Sequence, residues 1–154
     1  MTHTHTAEVI WSRGDQAFLD KRYSRKHTVK FDGGIEVPAS SSPHVVPLPY
    51  SEVHAIDPEE ALVAAIASCH MLSFLFVAVQ KRFVVDSYRD NAVGVMTLNE
   101  RNKCWISSVT LQPKIIFSGE RQPSTEEIAH MHHLAHEECY IANSVKTDIQ
   151  VRSE

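Results

Sequence analysis

The chain has 154 residues, 43% of them apolar and 22% charged, and carries a formal net charge of −4. This composition suits a single globular domain over residues 1–154 and excludes a disordered chain. The charge balance offers no basic footprint, so neither nucleic acid nor an anionic membrane surface is an expected partner, and a small ligand is.

The opening MTHTHTAEVIW has neither the basic start nor the apolar core of a signal peptide and points to the cytoplasm. Residues 7–12 read as a first strand and residues 23–31 (YSRKHTVKF) as a second, closed by an Asp32-Gly33-Gly34 turn into a hairpin-like start. The stretch 37–50 contains Pro38, Pro47 and Pro49 as well as the run SSSP. Proline fixes its own φ and lacks a ladder donor, so a long irregular loop is expected there, either walling a site or simply connecting elements.

The strongest local signal follows in DPEEALVAAIASCHMLSFLFVAVQKRF. Asp57 is the expected N-cap, Pro58 occupies the first helical position, and Glu59 and Glu60 complement the helix dipole. Residues 61–79 are apolar nearly all round, interrupted only by Ser68, His70 and Ser73. A surface helix would show a charged face, so this one is expected to be buried on every side, as a core helix and not a membrane span. A chain this small has difficulty covering such a helix alone, which points to a symmetric dimer whose central helices meet.

Residues 84–99 and 104–118 alternate with period two around the polar turn 99–102, predicting a long antiparallel hairpin. Ser124 followed by Glu127 is a capping-box signature for a second helix running to about Cys139, and residues 145–151 alternate as a closing strand. The element order predicts an α+β fold: antiparallel sheets, a long buried central helix and a second helix.

Three widely spaced cysteines, Cys69, Cys104 and Cys139, form no disulfide framework and contain no CxxC pair. Cys69 lies mid-helix, where most cysteines are inert small apolar residues; reactivity requires nearby positive charge or donors that favour the thiolate. Cys139 closes the second helix, a position that suits either a core residue or a resolving thiol. In HMHHLAHEEC, within residues 130–139, His132 and His136 stand four apart and His133 and His136 three apart, a spacing compatible with metal ligation or with a solvated helix face.

The segment DPEEALVAAIASCHM, followed by HEECYIANSVKTDIQV, resembles the paired signatures of the OsmC/Ohr family of hydroperoxide reductases. The resemblance implies an intertwined homodimer and a cofactor-free thiol peroxidase. In it Cys69 attacks an organic hydroperoxide, Cys139 resolves the resulting sulfenic acid, and an external thiol or dithiol restores both. It further implies that Glu59, ten residues before Cys69, and an N-terminal arginine activate the sulfur. Arg25 and Arg13 both fit the arginine; Arg25 is preferred, on a strand beside His27 and needing a partner such as Glu59. Met71, Leu72, Phe74 and Leu75 would supply an apolar pocket. Many members have proline after the resolving cysteine where this chain has Tyr140, which resembles a less studied branch. Cys104 matches no motif and reads as structural. The alternative is a dimeric OsmC-like protein that binds a small molecule or a metal and has no peroxidase activity.

Overall fold

The computed structural model describes residues 2–153, which form two compact units divided between residues 61 and 62. The N-terminal unit is a three-stranded antiparallel sheet, β1 (Ala7–Ile10), β2 (His27–Phe31) and β3 (Glu36–Ala39), in that spatial order. Two expectations change here. The second strand begins at His27 and not at residue 23, which leaves Arg25 outside it. The supposedly irregular stretch starts with a strand that includes Pro38. Pro38 is tolerated because β3 is an edge strand: its carbonyl accepts from Ile56 N (3.1 Å) on the side away from β2, so its missing donor faces that side too.

Helix α1 (Pro58–Gln80) begins at the end of this unit. Asp57 caps it as expected and does so reciprocally: Glu60 N donates to Asp57 Oδ1 (2.7 Å) and Asp57 N to Glu60 Oε2 (3.2 Å). Past Gln80 the chain turns through Arg82, at φ 63°, and Phe83 N returns to Ala78 O (2.9 Å), closing the helix in the manner of a C-terminal left-handed cap.

In the second unit, the predicted hairpin is present but broken at matching points into β4 (Val84–Asp90) with β5 (Val93–Leu98) and β6 (Cys104–Leu111) with β7 (Pro113–Ser118). β4 pairs with β7 and β5 with β6, so one long hairpin serves two sheets. Gln112 stitches the break, its backbone N–H donating to Asp90 Oδ1 (2.7 Å) and its side-chain amide to Asn91 O (2.8 Å). Helix α2 (Thr125–Glu138) opens on the expected Ser124–Glu127 capping box. A single 3-10 turn, Ala142–Ser144, then leads into β8 (Asp148–Val151), which joins β6 in parallel, the one parallel pairing among the named strands.

The two sheets give α1 two cores. Its C-terminal half puts Phe74, Val77 and Ala78 with Phe83, Met131 and Ala135, flanked by Val85, Tyr88, Ile115 and Phe117. Its N-terminal half puts Ile66 against Val109 and Leu111. β5 approaches that half so closely that a Cβ on Gly94 would lie 2.5 Å from a Val63 methyl.

Contrary to expectation, α1 is not buried on every side of the chain. Ile66, His70, Phe74, Val77 and Ala78 form the buried stripe, while Ala61, Ala65, Ser68, Leu72, Phe76 and Val79 form an exposed one. Leu72, Phe76 and Val79 are 60%, 59% and 73% exposed. The helix is apolar all round, but one chain covers only half of it. By length and composition α1 also passes as a membrane span, yet its inner face packs on two sheets and buries a hydrogen-bonded histidine, as a core helix does.

Candidate active site

Cys69 lies on the border between the two stripes of α1, half-buried, while Cys139 is fully buried as the C-cap of α2. Seventy positions apart in sequence, the two thiols are neighbours in the fold, close enough for Cys69 to shift the titration of Cys139. Both cysteines are free.

The segment after Cys139 makes this arrangement. Cys139 adopts extended backbone angles (φ −73°, ψ 111°), so the chain leaves the helix there. Asn143 braces the exit, its side-chain amide donating to Glu137 O (2.9 Å) and Cys139 O (3.1 Å). The turn then aims one backbone donor at each sulfur: Ile141 N–H at Cys69 Sγ (3.5 Å) and Ala142 N–H at Cys139 Sγ (3.4 Å). Tyr140 points outward at 82% exposure and does not disturb this turn.

Burial pushes the Cys139 thiol above its ordinary pKa, and the neighbouring Cys69 raises it further. A neutral thiol beside a half-accessible sulfur is an asymmetric pair: Cys69 can meet a solute, and Cys139 can meet only Cys69.

The other residues singled out from sequence fare differently. Glu59 occupies the first turn of α1, half-buried, with no ion pair or side-chain hydrogen bond to another described residue. Arg25 does not pair with Glu59 within the chain, and this corrects the expectation. Its guanidinium instead donates to the carbonyls of Lys21 and Tyr23 and lies 3.9 Å over the Tyr23 ring. It lines a surface cavity of about 360 Å³ with Trp11, Phe18, Tyr23, His27 and Ser41, in which the Phe18 and Tyr23 rings stack at 4.7 Å. Arg13 is exposed and donates to Gln16 O (2.7 Å). Of the proposed greasy residues, Phe74 is core and Leu72 belongs to the exposed stripe. Cys104 is exposed at the start of β6, so it is not a core residue either.

The histidines hold what sequence reasoning missed. His70 Nε2 lies 3.0 Å from His132 Nδ1, the rings stack at 5.3 Å, and both residues are buried. Burial lowers both pKa values from 6.5 to about 4, with His132 and His136 lowering His70 further, so the pair is neutral at pH 7. His133 turns outward to Glu137 (3.5 Å). Among the described residues no group of three or more His, Cys, Asp or Glu side chains is arranged to hold a metal ion. The available signal was His70 itself, an ionisable residue in an otherwise apolar helix, which needs a polar partner once buried.

A family model described as OsmC-like protein matches residues 51–154. An OsmC-like protein of unknown function from Vibrio cholerae is 49% identical, covers 99% of this chain and 100% of its own, and superposes with a TM-score of 0.96. At 17% identity an organic hydroperoxide resistance protein from Elizabethkingia anophelis has the same fold (TM-score 0.72, covering 99% and 95%). So does the organic hydroperoxide resistance protein OhrB of Bacillus subtilis, at 15% identity (TM-score 0.71, covering 99% and 98%). Among curated proteins, none matches. With its family signature spanning both cysteines and its fold shared along almost the whole chain, the protein belongs to the OsmC-like family.

Proposed function

We propose that the protein is a cytoplasmic thiol peroxidase for organic hydroperoxides, acting as a homodimer in which residues 1–154 work as one OsmC-like domain. The observation that carries this reading is the contact between a half-accessible Cys69 and a buried, neutral Cys139, each with a backbone donor on its sulfur. The names of the Elizabethkingia and Bacillus structures agree with it.

In the first step the Cys69 thiolate attacks the distal peroxide oxygen. The O–O bond breaks, Cys69 becomes a sulfenic acid, and the alkoxide leaves as the alcohol after taking a proton. In the second step Cys139 sulfur displaces hydroxide from the Cys69 sulfenic sulfur, giving the Cys69–Cys139 disulfide and water. Two external thiols, or one dithiol, then reduce the disulfide. A raised Cys139 pKa fits the second role, because the thiol stays protonated and leaves the peroxide to Cys69.

Glu59 and Arg25 are assigned to activation of Cys69 by the family resemblance. Ten residues along α1 amount to about 15 Å of rise, so the Glu59 that serves a given sulfur would be supplied by a second copy. The uncovered apolar stripe of α1 supports that dimer, since an apolar face of this length left in water is costly. Leu72→Glu, at the centre of the stripe, is expected to give a monomer by light scattering where the native chain gives a dimer; a native monomer at micromolar concentration contradicts the packing argument.

The test is stopped-flow consumption of cumene hydroperoxide and of hydrogen peroxide by the reduced protein with a dithiol donor. Catalytic turnover with a preference for the organic peroxide supports the reading; stoichiometric thiol loss without turnover, or none at all, removes it.

A further inference from the structure

His70 is the residue after the attacking cysteine, and His132 lies two turns before the resolving cysteine on the same face of α2. Among the described residues their bond is the one side chain to side chain hydrogen bond joining α1 to α2. The rest of that contact is apolar, with Phe74, Val77 and Ala78 against Met131 and Ala135. Phe74 also packs on His132 itself, ring centroids 4.4 Å apart. Apolar surfaces of this kind resist separation but not small slides or rolls, because the hydrophobic effect has no direction.

The bond has a cost. His70 Nδ1 and His132 Nε2 are buried with no partner, and leaving such a group unpaired costs about 1–3 kcal/mol. Two aliphatic side chains at these positions would hold the helices together at least as well. A polar pair that brings no evident gain in stability, placed between the two helices that carry the sulfurs, points to registration as its role.

Registration matters at this place because disulfide geometry is narrow: the two Cβ atoms must come within about 3.5–4.5 Å with a dihedral near a right angle. The attack of Cys139 on the sulfenic sulfur has equally strict alignment, and a misplacement of about 1 Å can cost about a hundredfold in rate. The peroxide step takes place at Cys69, with its activating groups and its solvent-side access, and asks nothing of the position of Cys139.

We propose that the His70–His132 hydrogen bond is a positioning device for the resolving step: it fixes α2 against α1 so that Cys139 closes on oxidised Cys69, and it leaves the reduction of peroxide by Cys69 untouched. The inference rests on the thiol peroxidase reading. In its neutral form one ring donates and the other accepts, so a side chain with a donor or acceptor at the His132 Nδ1 position suffices. An asparagine amide reaches that position; leucine does not.

The experiment separates the two steps at pH 7 in the full-length protein. The first is followed by alcohol release and by dimedone trapping of the sulfenic acid, the second by the rate of disulfide appearance on rapid acid quench. His132→Leu is expected to form the sulfenic acid at the native rate and to close the disulfide at least about tenfold more slowly, so that trapped sulfenic acid accumulates. His132→Asn is expected to restore closure to within about threefold of native. A His70→Leu/His132→Leu double variant leaves no buried nitrogen unpaired; it provides a folded protein without the tie and should be slow in the same step. Native closure rates in both leucine proteins overturn the proposal. Equal slowing of both steps overturns it as well, as does slow closure in His132→Asn, which would assign the effect to ring packing. A native protein that forms no sulfenic acid at all contradicts the peroxidase reading instead, and so is told apart from failure of the tie.

Discussion

Replacing Cys69 by serine is expected to lower organic hydroperoxide consumption by at least about a thousandfold, because a hydroxyl at neutral pH is not a thiolate and no second accessible sulfur lies beside it. Replacing Cys139 by serine has a different result. The first equivalent of peroxide is still reduced, the protein stops at the sulfenic acid, and turnover with a dithiol falls steeply while a dimedone adduct forms on Cys69. The contrast follows from the asymmetry of the pair: Cys69 borders the exposed stripe of α1, whereas Cys139 is sealed in the core with its proton held by burial. Peroxide traces and adduct mapping on the two variants check it. Similar losses in the first step for both variants would contradict the division of roles. Cys104, exposed and remote in sequence from both motifs, provides the control, and its replacement should leave both steps unchanged.

Acid should loosen this fold well before its carboxylates titrate. His70 and His132 have pKa values lowered from 6.5 to about 4 in the folded chain. As pH falls below 6.5 the unfolded chain takes up protons at both rings and the folded chain does not, so the unfolded state binds more protons and gains. The fold therefore has its full stability above the unfolded value, where both rings are neutral in either state, and loses stability as pH falls from there towards about 4. At about 1.4 kcal/mol for each pKa unit the loss amounts to several kcal/mol across that window. Asp90, whose pKa is raised by burial, works in the opposite sense and offsets part of it. Urea denaturation between pH 7 and 4 checks this: the midpoint should drop steadily in the native protein and much less in the His70→Leu/His132→Leu double variant. An equal slope in both would show that the pair is not the titrating element.

Much of the architecture could be read from the sequence because local rules and tertiary structure agree. Asp57-Pro58-Glu59-Glu60 and Ser124 to Glu127 announce helix starts by backbone chemistry that needs no partner, and both caps formed as expected. What periodicity could not show is where pairing changes partners. The alternation through residues 84–118 is continuous, yet the hairpin breaks at Asn91 and Gln112 to serve two sheets, since side-chain period is the same on either side of a bend. Pro38 misled in the other direction, because a missing donor is harmful only when it faces a neighbour.

At the site, Cys69 and Cys139 were legible through their motifs, and the fold brings them into contact. Arg25 was placed on a strand that starts two residues later, so its alignment with His27 and its pairing with Glu59 did not hold within the chain. His132 was weighed as a metal ligand on helix spacing alone; spacing along one helix cannot reveal that its partner is His70 on another. Full burial was expected for α1 because it is apolar all round, and apolar content alone does not say how much of a helix its own chain can cover: the chain covers half of it.

The central claim is that Cys69 and Cys139 are the two halves of one redox reaction. Its most direct test is to add a single equivalent of cumene hydroperoxide to the fully reduced protein, quench with an alkylating agent, and map the products by mass spectrometry. The account predicts one intramolecular Cys69–Cys139 disulfide, a chain lighter by two hydrogens, and Cys104 alkylated as in the untreated protein. Cys69 and Cys139 both recovered as alkylated thiols after the peroxide has had time to react would contradict it.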